Sequence, residues 1–305
     1  FEMRGKRLSA KAKSTINFYL YILPWIVGFS LFTLVPMGSS LYYAFHNVSF
    51  ISMSAIPPEF IGWKNFAVAF QDSLFLASIG NTFYFATVKT VVGLAVSLLI
   101  ALLVDVRFVG NKAVRVLVYL PAIIPMVAST MVWAQLFSSD FSLLNYLLSL
   151  VGIPPIDWLS YPNAMQTVLL MSIWGSLGPT MLMLLAALQG VPQELVEAAQ
   201  LDGCPVFRRF FKIILPMISP TIFYLLITNL IGGLQAYAEM ELLVGIGTDK
   251  TLTMAWNVVM NAFNLDGFKT MGYASAQAWI LFLIIMVFTL VFFRFSKRFV
   301  YYAGE

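Results

Sequence analysis

The sequence predicts an all-α integral membrane protein with six transmembrane helices, and three observations carry that expectation. Hydrophobic residues make up 60% of the 305 and charged residues only 10%, against about 45–50% and 25% in an ordinary soluble domain. Six apolar runs reach the roughly 20 residues that a bilayer demands, over 18–45, 79–104, 114–137, 166–188, 217–238 and 274–293. Lys and Arg gather in alternate connecting segments, the asymmetry that orients membrane helices. Lipid offers a lone spanning segment no outside hydrogen-bond partner, so each run is expected to be helical.

Residues 1–16 hold Arg4, Lys6, Arg7, Lys11 and Lys13 and form a basic arm ahead of the first run. That run is too long for a signal-peptide core and lacks a small-residue cleavage pattern, so it is expected to persist as an anchor. Further basic residues follow in Arg107, Lys112 and Arg115, in Arg208, Arg209 and Lys212, and in Arg294, Lys297 and Arg298. With the arm these account for 14 of the 18 Lys and Arg residues, whereas the other side holds only Lys64, Lys250 and Lys269. An even number of spans places both termini together, so the arm, the 190–216 insert and the tail 299–305 are predicted cytoplasmic, around one membrane domain over 17–298. The dispersed net charge of +4 offers no basic face to a nucleic acid.

Pro24, Pro36, Pro121, Pro125 and Pro179 interrupt several runs; membrane helices tolerate them where neighbours re-satisfy the freed carbonyls. Outside the spans, Asp140 to Val151 and Leu252 to Phe263 have helix-like apolar spacing, are too short to cross, and are expected along the outer interface. Trp63, Trp158 and Trp256 are placed like interfacial anchors, and His46, the single histidine, as an interfacial residue without metal-ligand company. The single cysteine, Cys204, excludes an internal disulfide and is expected as a reduced thiol.

Gly190 to Pro220 breaks the apolar pattern with a charged insert. Pro192 and Pro205 suit first helical turns and Gly203 suits a helix end, which predicts short helices over 193–202 and 205–215, the second ending at Pro216. Glu194, Glu197 and Asp202 surround Ala198 and Ala199, a small acidic surface that a partner backbone could approach closely. Phe207, Phe210, Phe211 and Ile214 recur at i, i+3, i+4 and i+7 and are expected to pack on the spans, with Arg208, Arg209 and Lys212 on other faces.

Glu197-Ala198-Ala199, Asp202-Gly203 and Ile214-Leu215-Pro216 resemble the E-A-A…D-G…I-L-P signature of permease subunits in ATP-binding-cassette importers. Cys204-Pro205 departs from the small polar residues more usual there. Phe60 to Phe66, Asn81-Thr82, Tyr119-Leu120-Pro121, Ile156 to Ser160, Trp174 to Gly178 and Met271 to Ala276 are similar to landmarks of the carbohydrate-uptake permeases, the maltose, glycerol-phosphate and oligosaccharide group, first-permease type. The resemblance runs from about residue 15 to about 300 and implies a type I importer fold in a bacterial cytoplasmic membrane. It implies a second, unlike permease, two ATPase subunits carrying ATP and Mg, an external solute-binding protein and a sugar or oligosaccharide. In that family the insert is the coupling helix, so Glu194, Glu197, Ala198, Ala199, Asp202 and Gly203 are its expected contacts with the ATPase. The large external domain of maltose-type first permeases is missing.

No phosphate-binding G-x-x-x-x-G-K-[ST] loop occurs, and no nucleophile with a base, so the chain is not expected to be an enzyme and its energy must enter from another subunit. Transport needs polar groups near the bilayer midplane. The fifth run supplies Asn229, Gln235, Tyr237 and Glu239, and the fourth supplies Trp174, Ser176 and Gly178 around Pro179, residue types that suit a sugar. Lys89 stands alone in the second run; a lysine there costs about 2.5–3.5 kcal/mol on insertion scales, which predicts a partner in Glu239 or Glu241. An ion-gradient-driven secondary transporter is the alternative, although the acidic residues fall almost wholly in loops.

Overall fold

The computed structural model describes residues 10–49, 57–106, 108–138, 142–245, 250–263 and 270–301. Arg4, Lys6, Arg7, Arg107, Asp140, Lys269 and the tail from 302 onward lie outside the described residues. Helices dominate: α1 (Ala10–Phe29), α2 (Val35–Ala44), α3 (Lys64–Ala69), α4 (Ser73–Asp105), α5 (Asn111–Ile123), α6 (Met126–Phe137), α7 (Leu143–Ser149) and α8 (Ala164–Gln189). After them come α9 (Gln193–Leu201), α10 (Val206–Arg209), α11 (Leu215–Leu234), α12 (Ala238–Val244), α13 (Met254–Ala262) and α14 (Met271–Phe299). The one described sheet is a two-residue antiparallel pair, β1 (His46–Asn47) with β2 (Glu59–Phe60), in register His46 to Phe60.

Five helices are long and apolar enough to cross a membrane, and the bent pair α5–α6 reaches that length and apolarity only when its two halves are taken together. The 33-residue α4 is central, packed on α8 and α11, while α5 lies along α8 and α14 against α2 and α13. Two apolar clusters bracket the α4–α8 contact. Phe85, Met165, Val168, Leu169 and Met171 with Met240 and Trp256 make one, and Ala101, Val104, Met181, Leu184, Leu188 and Ile218 make the other. Between them, α5 crosses α8 so closely that a Cβ on Gly178 would stand 2.7 Å from the Tyr119 Cα. Only glycine fits that crossing.

Three expectations are corrected. The 114–137 run is not one straight helix: α5 and α6 meet at a bend of 100°. Ile124 precedes Pro125 and is extended, at φ −72° and ψ 127°, because the proline ring disfavours a helical residue before it. The helix expected to stop at Pro216 instead runs on from Val206 to Leu234. Residues Phe210–Ile214 form a π-helical turn in which the Leu215 N–H reaches back five residues to the Phe210 carbonyl. Such a wide turn gives slack just where Pro216 would otherwise clash with the preceding turn. Finally, the fifth span ends at Leu234, and Glu239 belongs to the separate α12.

The two short helices expected outside the spans form, in shorter lengths, as α7 and α13, but Trp256 is 2% exposed and sits in a core cluster. Trp63 is exposed, whereas Trp158 is half-buried and donates from Nε1 to Asn145 Oδ1 at 2.9 Å. His46 is buried, stacked on Tyr42 with its Nδ1 2.6 Å from the Tyr42 carbonyl.

Candidate functional site

A cavity of about 270 Å³ opens at the level of Lys89, between the two apolar clusters. Its walls come from α4, the bent α5–α6 pair, α8 and α12: Lys89 and Glu239, the bend residues Pro121, Ala122, Ile124 and Met126, and the small and hydroxyl residues Ser129, Thr130, Ser172, Gly175 and Ser176 with Met171. Lys89 is the middle residue of α4, which puts its ammonium near mid-membrane. It donates to Glu239 Oε1 at 3.3 Å, with the two side chains 16% and 15% exposed, and lies 5.4 Å from the Phe85 ring centre. Of its two candidate partners, Glu239 is the one it meets.

Local chemistry sets that meeting. Past Leu234 the chain leaves the helix, and Ala236 offers its carbonyl to Thr253 Oγ1 at 2.7 Å. The next residue, Met254, donates its backbone N–H to Thr82 Oγ1 on α4 at 2.8 Å, while Asn81 Nδ2 donates to the Leu252 carbonyl at 3.0 Å. Thr82 precedes Lys89 by two helical turns and therefore shares its face. The start of α12 is thus pinned to α4 through residues 251–254, and Glu239 is presented to Lys89.

Irregular backbone at membrane depth is tolerated where it lines a cavity, and the Ile124–Pro125 bend does so here. On α8, Pro179 cannot donate to the Gly175 carbonyl, and Gly175 is in the wall. Thr130 Oγ1 donates to the Met126 carbonyl at 2.8 Å and Ser176 Oγ to the Ile173 carbonyl at 2.9 Å. Ser172 is buried, and its Oγ makes no hydrogen bond.

Among the residues singled out for a solute path, Ser176 and Glu239 line this cavity, beside the lone charge Lys89, and Trp174, Gly178, Asn229, Gln235 and Tyr237 do not. Trp174 packs beside it against Trp133, with ring centres 5.7 Å apart. Asn229 is half-buried on α11, and Gln235 and Tyr237 are exposed at the break before α12. Ser129, Thr130, Ser172 and Gly175 were missed. Their signal was the small and hydroxyl residues around Pro121, Pro125 and Pro179, where a break in the helix makes room.

The second feature is the elbow formed by α9, its turn and α10. Gly203 has φ +73°, and its N–H and that of Cys204 bond the Gln200 and Ala199 carbonyls at 3.0 and 2.9 Å. That pairing is the Schellman helix end, which favours glycine at this position. Val191 is buried, and Val196 and Ile214 pack with it against the cluster around Met181. Glu194, Glu197, Ala198, Asp202 and Gly203 are exposed, and Ala199 is half-buried. Leu201 is 89% and Phe207 82% exposed, so the expected packing of Phe207 and Phe211 on the spans is corrected: only Phe210 and Ile214 turn inward. Among the described residues no group of three or more His, Cys, Asp or Glu could hold a metal ion.

A bundle of membrane-length helices around a polar cavity, with an exposed elbow continuous with one span, defines a multi-span transport permease. The chain belongs to the family of binding-protein-dependent transport system inner membrane components, whose model matches residues 93–300. It is 34% identical to the "Probable ABC transporter permease protein YesP" of Bacillus subtilis (strain 168) over 98% of this chain and 96% of that one. It is 35% identical to the sn-glycerol-3-phosphate transport system permease protein UgpA of Yersinia pseudotuberculosis serotype I (strain IP32953), covering 93% and 95%. Among solved structures, it is similar to a bacterial alginate ABC transporter in complex with a pentasaccharide-bound periplasmic protein, at TM-score 0.82 and 25% identity over 96% and 98% of the two chains. The chain is therefore an inner-membrane transport component with a type I importer permease fold, not an enzyme, and the ion-gradient alternative finds no support.

Proposed function

We propose that this chain is one of two unlike permease subunits of an ATP-driven importer that takes a sugar or oligosaccharide from an external binding protein. Two ATPase subunits carry ATP and Mg, and the arm, elbow and tail face the cytoplasm. The proposal is supported by the elbow's form: a carboxylate-bearing, alanine-faced surface with Leu201 and Phe207 bare, rooted by Val191 and Val196 in the helix core. The solved relative, which binds a pentasaccharide-loaded periplasmic protein, supports the sugar and the donor.

The continuous helical rod Val206–Leu234 links elbow to cavity. At about 1.5 Å per residue it is roughly 43 Å long, and its far end leads through Gln235 to Glu239. A push on the elbow from ATPase closure is thereby carried to one wall of the cavity, which is what alternating access requires. Glu197 forms the ion pair with the ATPase groove, Ala198 and Ala199 allow close approach, and Gly203 holds the turn. In the reconstituted complex, Glu197→Lys and Gly203→Asp are expected to lower uptake per ATP at least tenfold while hydrolysis persists. Wild-type uptake per ATP in both variants would refute the assignment.

A further inference from the structure

We propose that the mid-membrane cavity selects uncharged saccharide units, seating a vicinal pair of hydroxyls between Lys89 and Glu239, and disfavours uronate or phosphate groups. The proposal rests on the reading of the chain as a sugar-importer permease and narrows the sugar. The cavity's charged wall residues are one cation and one anion, already paired at 3.3 Å. An incoming carboxylate or phosphate would have to pull Lys89 from Glu239 and then lie beside a bare carboxylate, in a place where water screens poorly. A neutral diol meets no such conflict.

Hydrogen-bond chemistry points the same way. Lys89 has three donors and spends one on Glu239, while Glu239 keeps acceptor capacity on its second oxygen. A sugar hydroxyl both donates and accepts, so adjacent hydroxyls can bridge the pair without breaking it. Ser172 Oγ supplies a further group: it is buried, lines the cavity and lacks a partner, and a buried hydroxyl without a partner is costly unless something fills the role. With Thr130 and Ser176 donating to their own helix carbonyls, both oxygens remain free to accept. The volume, about 270 Å³, lies just under the roughly 300–1,000 Å³ of drug-sized ligand pockets, so it suits one or two sugar rings at a time. The inference sets this chain apart from similar proteins named for sn-glycerol 3-phosphate and for the acidic polysaccharide alginate.

The test uses the whole importer with its binding protein in proteoliposomes, reading uptake and ATPase stimulation over a broad panel of neutral and acidic glycans. The panel includes cellotriose, maltotriose and raffinose against trigalacturonate and glycerol 3-phosphate. Neutral glycans are expected to be the ones imported. Ser172→Ala, a change small enough to keep the fold, is expected to raise KM for the imported glycan three- to tenfold at unchanged kcat. Glu239→Gln, which leaves Lys89 unpaired, is expected to cut neutral uptake at least tenfold while narrowing the preference over trigalacturonate. Import of trigalacturonate in preference to every neutral glycan, or an unchanged KM in both variants, overturns the selection while leaving the sugar-importer reading standing. Stimulation by no glycan in the panel overturns both.

Discussion

Lys89 and Glu239 hold each other in a setting where neither could stand alone. Removing one partner of a buried pair leaves an uncompensated charge, at a cost of up to about 3–5 kcal/mol, while replacing both with apolar groups is often neutral. Lys89→Met is therefore expected to lower the thermal midpoint of the purified complex in detergent by several degrees, and the charge-swapped Lys89→Glu/Glu239→Lys to recover most of the loss. Equal melting of wild type and Lys89→Met would show that the pair contributes nothing to stability. The need for a partner was legible in the sequence, because a lysine amid an apolar run has few other ways to be accommodated. Which polar residues line the cavity was less so. Trp174, Asn229, Gln235 and Tyr237 have residue types that suit a sugar, yet where the helix ends and which wall faces the gap decide the lining. The central span α4 carries almost no amphipathic signal from which those could be read, since it is apolar nearly all the way round.

At the scale of elements, three interruptions shape the molecule: the Ile124–Pro125 bend, the π-turn at Phe210–Ile214 and the break between α11 and α12. The prolines marked two of these places, but proline alone does not say whether a membrane helix kinks, breaks or is absorbed by a wider turn, because neighbouring helices settle that. The third break depends on Thr253, which caps α13 by accepting from the Trp256 N–H and also donates to the Ala236 carbonyl. That second bond joins residues 17 apart in sequence, and no local pattern announces it. Thr253→Val keeps the shape and removes both bonds. Its expected cost is about 1–3 kcal/mol, from a lost cap and a buried carbonyl left unpaired. It should also slow uptake, since α12 is no longer fixed to α4, whereas Thr253→Ser should restore both properties. Melting in detergent and uptake in vesicles check the pair, and a Val variant matching wild type in both would remove Thr253 from any positioning role.

At the scale of the whole molecule, length and composition sufficed to locate the five membrane-length helices and the bent α5–α6 pair, because lipid imposes one rule on every spanning backbone. How the spans pack was not accessible, since the driving contacts are shape matches such as Gly178 against Tyr119 and not polarity. Sidedness rests on the Lys and Arg distribution, and the single cysteine provides a direct check on it. Cys204 is half-exposed in the elbow turn, on the side that carries Arg208, Arg209 and Lys212. A membrane-impermeant maleimide is expected to leave Cys204 unlabelled in intact cells and to label it in inside-out vesicles stripped of peripheral subunits. In inside-out vesicles that retain the assembled transporter, labelling should fall several-fold, because the elbow is then seated in its partner. Labelling of intact cells would reverse the orientation, and equal labelling of stripped and assembled vesicles would leave the elbow unseated and remove its part in coupling.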